Sequence, residues 1–378
     1  MNAYFSWPRF LAVLLKEFVQ MKRDRLTFGM IVGIPIIQLI LFGFAINTDP
    51  KGLPAALVVN DESVFSRSLV RSLENSQYFK FTHRATSEAE ADRLLQLGDV
   101  QFVLVIPSDF SRKLQRGERP QLLLAADATD PSATGNALAT LNQTVKQAMD
   151  RELVGPLSGL KPGELPVDLR VQRRFNPEGI TRYNIVPGLM GVILTMTMIM
   201  MTALAMTRER ERGTMENLLA TPVRPIEVMA GKIAPFIIVG YLQVTLILSA
   251  AKLIFGVPIV GSLVLLSLAL IVFIAANLSV GFTFSTIAKN QLQAMQMTFF
   301  FFLPSMLLSG FMFPFRGMPE WAQWIGEALP LTHFLRIVRG VLLKGNGLAE
   351  IVPELWPIGL FMLVAGTVAL KRYRQTLD

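Results

Sequence analysis

Residues 183–207 read YNIVPGLMGVILTMTMIMMTALAMT and contain no charged side chain in 25 positions. A helix of roughly 20 apolar residues is long enough to cross the hydrocarbon core of a bilayer. The stretch therefore predicts a membrane-spanning helix. The composition of the whole chain agrees, because 52% of its 378 residues are hydrophobic and only 17% are charged, whereas a soluble domain has about 25% charged residues.

Five other uncharged stretches lie on either side of this one. Together they predict six spans, at 26–47, 183–207, 233–251, about 262–286, 290–315 and 355–370. The last stretch is the weakest, with 16 uncharged residues, although the stem of Lys371 can lengthen it. The predicted fold class is therefore an α-helical membrane protein with a six-helix transmembrane bundle, whose last five helices lie within 183–370.

Basic residues gather beside the spans. Between positions 49 and 182 there are 17 Lys and Arg and 17 Asp and Glu, so the net charge of +8 belongs to the rest of the chain. The excess lies in residues 1–25, in the loop after the second span and in the tail, 371–378. Since such residues favour the cytoplasmic side, we predict a multi-pass protein of the cell inner membrane with both termini in the cytoplasm. Basic residues that flank apolar runs also argue against a nucleic-acid partner.

The first 25 residues have an amphipathic pattern. Apolar residues recur every three or four positions from Phe10 to Met21, accompanied by Lys16, Lys22 and Arg23. The pattern predicts a cytoplasmic interfacial helix over 1–25, with its basic residues against membrane lipids. A simple positive anchor for the first span explains the same residues, so both interpretations stay open.

Strand-like and helical segments alternate between residues 48 and 182, which predicts a layered α/β domain inserted outside the membrane. Strands are expected at 55–60, 78–82, 100–106, 121–125 and 167–175, and helices at 63–75, 87–97, 107–114 and 132–153. Asp127 and Asp130 flank a turn, and we expect them to cap a helix rather than to bind metal. We expect His83 and His333, the two histidines, to be ordinary surface residues. The chain has no cysteine, which excludes disulfides and thiolate metal sites.

The segment 316–350 lies between the fifth and sixth predicted spans. Trp321 and Trp324 recur there at helical spacing, and tryptophan is enriched where a membrane meets water. We predict an outer helical hairpin over this segment. A plain surface loop is the alternative.

Residues 208–225 read RERERGTMENLLATPVRP and are dense in charges of both signs. A helix here would place Arg210 and Thr214 on one face and Met215 and Leu218 on another. Such a helix can dock into a groove of a soluble partner, with ionic contacts that fix its register. A solvated connector rich in positive charge is the alternative that composition alone allows.

This charged stretch resembles the cytoplasmic loop of the type-2 ABC transporter permeases. The family pattern is Glu-Arg-x-x-Gly-Thr-x-Glu-x-Leu-x-x-Thr-Pro, followed by Gly-Lys at the entry to the next span. The matching residues are Glu209, Arg210, Gly213, Thr214, Glu216, Leu218, Thr221, Pro222, Gly231 and Lys232. The wider layout is similar to the drug and lipid exporters of that family, which have a large extracytoplasmic domain after the first span.

The resemblance implies a permease subunit of an ATP-driven exporter, which moves amphiphilic drugs or lipids out of the cytoplasm or the inner leaflet. It implies an ABC ATP-binding subunit, a second permease subunit that is identical or paralogous, and a periplasmic adaptor protein as partners. The loop 208–230 would couple the ATPase to the spans. Glu209, Arg212 and Glu216 would supply polar contacts, and the basic residues of the N-terminal helix would share them.

The sequence contains no Gly-x-x-x-x-Gly-Lys-Ser/Thr phosphate loop. We therefore expect that the chain is not an enzyme, that it binds no cofactor or metal, and that ATP is hydrolysed on a separate subunit. The alternative function is a membrane-anchored sensor or scaffold whose outer domain binds a ligand or an envelope partner. The number of spans distinguishes a permease from a sensor, because a sensor needs only one or two spans.

Polar residues within the spans are candidates for the translocation path. The three candidates are Gln243, Asn277 and Gln293. Such residues often only join helices, so helix packing is the competing interpretation. No acidic residue lies within a predicted span, which argues against a proton-relay transporter.

Overall fold

A computed structural model of the chain describes residues 50–154, 165–211 and 225–372. A mixed β-sheet with its covering helices occupies residues 53–174, and long apolar helices follow from Thr181 onward. The predicted interfacial helix, 1–25, and the predicted first span, 26–47, lie outside the described residues, as do the last six residues of the tail.

The sheet has five strands in the described part of the chain, in the order β2-β1-β3-β4-β5. Neighbouring strands are parallel except for the antiparallel pair β3 and β4. The central strand β3 is buried at all five positions, as expected for a strand covered on both faces. The strands are β1 (Leu53–Val59), β2 (Phe79–Arg84), β3 (Phe102–Ile106), β4 (Gln121–Asp127) and β5 (Asp168–Arg174).

Three of the four described helices between these strands begin at a side-chain cap. The four are α1 (Val64–Asn75), α2 (Glu88–Leu97), α3 (Phe110–Arg116) and α4 (Pro131–Glu152). The side chains of Ser63, Ser87 and Asp130 accept hydrogen bonds from the first-turn N–H groups of α1, α2 and α4, which stabilises a helix N-terminus. The predicted strands and helices of this segment are confirmed, as is the capping role of Asp130. The expectation that Asp127 caps a helix is wrong, because Asp127 ends β4 and accepts hydrogen bonds from Thr129 and Lys344.

Helices cover both faces of the sheet. On one face, Leu69 of α1 and Leu141 of α4 pack in a core with Leu104 of β3. On the other face, Leu95 of α2 packs in a smaller core with Val103. Alternate residues of a strand point to opposite faces, so β3 contributes to both cores.

Five longer helices follow the sheet: α5 (Thr181–Glu211), α6 (Pro225–Leu253), α7 (Leu263–Ile287), α8 (Gln291–Leu308) and, last in the chain, α11 (Leu348–Arg372). Two short helices, α9 (Glu320–Glu327) and α10 (Pro330–Arg339), lie between α8 and α11, and a π-helical turn, Gly340–Lys344, follows α10. Four helices in the described ranges, α5, α6, α7 and α11, are long and apolar enough to cross a membrane.

The fifth and sixth predicted spans differ from the helices observed. The helix α8 ends at Leu308 instead of continuing to position 315, because the chain turns at Gly310, whose φ of +80° is left-handed. This 18-residue helix is not among the four apolar ones. The last helix begins at Leu348, inside the predicted hairpin segment, and it includes Glu350 and Glu354. Both acidic residues precede the uncharged run 355–370 from which the sixth span was predicted.

Burial separates two central helices from two peripheral ones. In the most apolar stretch of each helix, 56% of the residues are buried for α5 and for α7, but only 17% for α6 and 11% for α11. At the crossing of α5 and α7, a Cβ on Gly281 would lie 2.5 Å from the backbone oxygen of Ile199. The missing side chain lets these two helices approach closely. In the apolar core of the bundle, the ring of Phe273 on α7 stacks on the ring of Phe334 on α10, with the ring centroids 4.1 Å apart.

Candidate functional site in the helical bundle and at its two ends

Most of the predicted coupling residues lie outside the described part of the chain. These are Arg212, Gly213, Thr214, Glu216, Leu218, Thr221 and Pro222. Glu209 and Arg210 lie in the last turn of α5, and the side chain of Glu209 is partly buried. The helix α5 continues past the apolar run to Glu211, and α6 begins at Pro225. The charged motif therefore starts on the last turn of α5.

A polar contact joins the end of α5 to the start of α8. The carboxylate of Glu211 accepts hydrogen bonds from the backbone N–H of Gln291, at 2.8 Å, and from its side-chain amide. The hydrogen bonds from Gln291 lower the pKa of the Glu211 carboxyl. Gln291 is the first residue of α8, so the carboxylate lies at the positive end of that helix dipole, which favours its charged form.

The three predicted path residues lie on three different helices. Gln243 of α6 accepts a hydrogen bond from the hydroxyl of Thr197 on α5, at 3.0 Å. Gln293 accepts one from the backbone N–H of Lys289, while Asn290 accepts one from the N–H of Gln293. This reciprocal arrangement is a helix cap. Gln243 and Gln293 thus form the helix-joining and capping bonds that the competing interpretation expects.

Asn277 differs from the other two candidates. It is fully buried in α7, and its amide donates to the backbone oxygen of Phe273 at 2.9 Å. Among the described residues, its side-chain oxygen has no hydrogen-bond partner, and the same holds for the hydroxyl of Thr202 on α5 and the side-chain oxygen of Gln296 on α8. Buried polar atoms normally have partners, so these three atoms mark the polar interior of the bundle. Sequence reasoning missed Thr202, because a threonine in a span commonly bonds only its own helix.

A buried ion pair attaches the sheet to the helices. The ammonium of Lys344 donates to the carboxylate of Asp127 at 2.6 Å and to the backbone oxygen of Leu95 at 3.2 Å. The two charged side chains are only 9% and 10% exposed. The cation also lies 5.1 Å from the centroid of the Phe175 ring. Sequence reasoning missed this pair, because 217 residues separate its members.

A second polar cluster lies between α10 and α11. One ring nitrogen of His333 lies 2.5 Å from the Glu354 carboxylate, and the other lies 2.8 Å from the backbone oxygen of Glu327. Arg336 donates to both glutamates. His333 is 6% exposed, so the expectation that it is an ordinary surface residue is wrong. The ring is buried because α10 packs between α9 and α11.

Residues 25–371 match the family model described as ABC-2 family transporter protein. The chain belongs to this family. It is 29% identical to the probable multidrug ABC transporter permease YbhS of Escherichia coli K12, with 97% of this chain and 96% of that protein aligned. It is 28% identical to the probable multidrug ABC transporter permease YbhR, with 97% of this chain and 98% of that protein aligned. It is 31% identical to the inner membrane transport permease YhhJ, with 90% of this chain and 93% of that protein aligned. Both of these relatives are also from Escherichia coli K12.

In this ABC-2 family transporter, the difference in burial between helices has a physical meaning. Apolar side chains on α6 and α11 remain exposed, among them Ile238 and Leu363 at 72% and 63%. Apolar faces of this size are stable against lipid or against another helix, but not against water. Among the described residues, no group of His, Cys, Asp and Glu is arranged to hold a metal ion.

Proposed function

We propose that this chain is the permease subunit of an ATP-driven exporter that moves amphiphilic drugs or lipids out of the cytoplasm or the inner leaflet. The observation that carries the proposal is the family match over residues 25–371. Relatives that align over nearly their whole length are named as multidrug permeases. Four apolar helices in the described ranges fit a transport path better than the one or two spans of a sensor.

The proposed energy source is a separate ATP-binding subunit on the cytoplasmic side. Glu209, Arg212 and Glu216 would form its polar contacts, within the coupling segment 208–230. The continuous helix α5 supports this role, because a rigid helix can transmit a displacement at its end into the bundle. The contact between Glu211 and Gln291 would extend such a displacement to α8.

The proposed path lies in the interior of the bundle, next to Thr202, Asn277 and Gln296. Their unpartnered polar atoms supply hydrogen-bonding groups within an otherwise apolar core. A second permease subunit would complete the path and cover part of the apolar surface of α6 and α11. Transport then requires that ATP binding stabilises one of two arrangements of the helices more than the other.

The proposed topology has six spans, with 26–47 as the first and α8 as the fifth. Both termini lie in the cytoplasm, and the sheet with its helices lies outside the cell membrane. A periplasmic adaptor protein would meet the protein on that side. The distribution of Lys and Arg in the short loops supports this orientation.

Co-purification tests the proposal directly. The tagged chain, expressed with its neighbouring genes and extracted in mild detergent, should retain a stoichiometric ATP-binding subunit with ATPase activity. The double charge reversal Glu209→Lys with Arg212→Glu should weaken that association by about tenfold or more, because hydrogen bonds to charged groups contribute about 1.5–3 kcal/mol each.

The matched control is Arg372→Glu, a charge reversal at an exposed residue of α11 outside the coupling segment. This variant should retain the subunit. A wild-type chain that purifies alone, folded and without ATPase activity, would refute the proposal. A subunit that the double variant retains fully would place the coupling contact elsewhere in the chain.

A further inference from the structure

One histidine ring joins α9, α10 and α11 in the second polar cluster. Glu327 ends α9, His333 and Arg336 lie on α10, and Glu354 lies in the second turn of α11. The ring of His333 is buried, and each of its nitrogens lies within hydrogen-bond distance of an oxygen from another helix. The protonation state of the ring therefore decides how many of these hydrogen bonds form.

The surroundings of the ring require a proton on each nitrogen. The backbone oxygen of Glu327 lies 2.8 Å from Nε2 of His333 and can only accept a hydrogen bond. The carboxylate of Glu354 lies 2.5 Å from Nδ1, and an ionised carboxylate also only accepts. A neutral imidazole has one N–H group. In either tautomer, a neutral ring would therefore place a nitrogen lone pair against an oxygen at one of the two contacts.

Arg336 stabilises the ionised form of the Glu354 carboxyl. Its Nη1 atom lies 3.3 Å from each oxygen of Glu354, and its Nη2 atom donates to the carboxylate of Glu327 at 2.5 Å. Because a nearby cation favours a charged carboxylate, the proton between Glu354 and His333 belongs on the ring. The cluster then contains two carboxylates and two cations, whereas with a neutral ring one negative charge is left unbalanced.

Charged groups outside the cluster do not take the place of this proton. Arg316, in the turn before α9, acts on both glutamates of the cluster over a longer range. Asp99, in the loop after α2, and Glu350, one turn before Glu354, line the same cavity and act in the opposite sense. Arg316 and Asp99 are exposed, so water weakens the effect of both charges. The charge balance of the cluster therefore depends on the ring.

The other elements that pack against α10 add no unbalanced charge. The helices α7 and α8 contain no charged residue, and α5 contains none between positions 184 and 207. Two further cations face carboxylates of the sheet segment. Arg339 on α10 interacts with Asp130, and Lys344 in the π-helical turn pairs with Asp127.

We propose that His333 is a pH-sensitive switch, whose doubly protonated ring holds α9 and α10 against α11 and whose deprotonation loosens this attachment. The stabilisation is complete in acid and is lost as the pH rises, because the folded arrangement binds the proton. In the proposed topology these helices lie on the outer side, so the outer pH would act on the switch.

The switch requires neither ATP nor another subunit. Failure of the co-purification experiment would therefore leave it intact, and failure of the tests below would leave the proposed export intact.

Nitrogen-15 NMR of the histidine rings tests the protonation state in the purified full-length chain in mild detergent. The chain has two histidines, and the spectrum of His83→Leu assigns their signals. We expect both ring nitrogens of His333 to carry protons in acid, and one proton to be lost as the pH is raised from about 5 to about 8, where histidine commonly changes its charge. A His333 ring that keeps one protonation state over this range would overturn the proposal.

Hydrogen exchange tests whether the proton holds the helices together. The protection of the α10 amides, corrected for the intrinsic pH dependence of exchange, should fall about tenfold or more over the same range, because a charge-assisted hydrogen bond is lost. The amides of β3 are the reference for any change in global stability. Unchanged protection of α10 in the wild type would also overturn the proposal.

Two variants separate the switch from a purely structural role of the ring. In Glu354→Gln, the side-chain amide can donate to Nδ1 of a neutral ring while Nε2 still donates to Glu327. The protection of α10 in this variant should therefore not fall as the pH rises. His333→Leu should show reduced protection at every pH. His83→Leu is the control, at an exposed position, and should behave like the wild type.

The pH profiles of the variants decide between the two roles. A parallel fall in the wild type and in Glu354→Gln would overturn the proposal, because other groups would then cause the pH dependence. If Glu354→Gln does not fold, His333→Leu still provides the test, since its difference from the wild type must shrink as the pH rises. A constant difference would indicate that the ring is structural only.

Discussion

The two ends of the helical bundle are held by polar contacts of similar length but different burial. At the sheet end, where α10 and α11 meet the sheet, Lys344 and Asp127 lie 2.6 Å apart with side chains 9% and 10% exposed. At the loop end, where α5 leads into the charged motif, the Glu211 carboxylate lies 2.8 Å from the backbone nitrogen of Gln291 and is exposed to water.

This difference in burial decides how firmly each end is fixed. A buried charge that loses its partner cannot be solvated, so breaking a buried ion pair is strongly unfavourable. An exposed carboxylate exchanges its partner for water at little cost. Opening the contact at the sheet end is therefore costly, whereas the contact at the loop end can break at little cost. A permease driven from the loop end would need this asymmetry.

The substitution with the largest expected effect breaks the sheet end. Lys344→Met should lower the free energy of unfolding by about 3–5 kcal/mol, because it leaves the Asp127 carboxylate buried without its cation. Denaturant titration of the purified chain in mild detergent measures the change. Asp127→Leu combined with Lys344→Met should recover much of the loss, because no charge then stays buried.

The control for this substitution is an ion pair with the same distance but more exposure. Lys113 and Asp109 lie 2.7 Å apart with side chains 41% and 27% exposed. Lys113→Met should lower the free energy of unfolding by less than about 1 kcal/mol. Equal effects of the two lysine substitutions would show that burial does not determine how much an ion pair stabilises this protein.

The second polar cluster at the sheet end should have an intermediate effect. His333→Leu removes the hydrogen bonds to Glu354 and to the backbone oxygen of Glu327. We expect a loss of about 1–3 kcal/mol, because the backbone oxygen is left without a partner. His83→Leu is the matched control, since His83 is exposed and contacts Thr82. A loss at position 83 as large as that at position 333 would contradict the structural role of the buried ring.

Local signals predicted the sheet segment well, because its elements begin and end at short-range features. Ser87 and Asp130 act within four residues of their own helices, and the apolar run in β3 is read from five consecutive residues. The four apolar helices were also predictable, since length and hydropathy are local properties. The family pattern between Glu209 and Lys232 pointed to the family to which the chain belongs.

The contacts at the sheet end were not predictable from the sequence alone. His333 and Glu354 are 21 positions apart, and Lys344 and Asp127 are 217 apart. Burial of these groups depends on how separate elements pack. The limits of the uncharged run also did not predict where α11 begins, because Glu350 lies in the first turn of that helix and accepts a hydrogen bond from the N–H of Gly347. A helix can therefore begin before its uncharged run.

The helices α5 and α7 cross closely inside the bundle, between its two ends. A substitution at this crossing tests apolar packing instead of a polar contact. Gly281→Ala would place a Cβ 2.5 Å from the backbone oxygen of Ile199. The helices α5 and α7 must separate slightly, and we expect a loss of about 1–3 kcal/mol from overpacking. Gly359→Ala on α11 is the control, because its Cβ would meet nothing within 4 Å. Equal thermal stability of the two variants would indicate that the crossing is looser than the structure has it.

The smallest expected effect on stability is at the loop end, and it depends on pH. Glu211→Gln removes the charge that accepts from Gln291. The pKa of Glu211 is lowered in the folded protein by hydrogen bonds from Gln291. The contact therefore contributes its full stabilisation of the folded protein above the ordinary pKa of glutamate. This contribution is lost as the pH falls through the lowered pKa of Glu211.

The wild type should accordingly be slightly more stable than Glu211→Gln to heat at neutral pH, and the difference should vanish in acid. Glu178→Gln, at an exposed glutamate before α5, is the control and should show no such convergence. If the loop end is the one that moves, Glu211→Gln should also change coupled ATPase activity more than it changes stability, whereas Lys344→Met should lower both together. The reverse pattern would place the moving part of the protein at the sheet end.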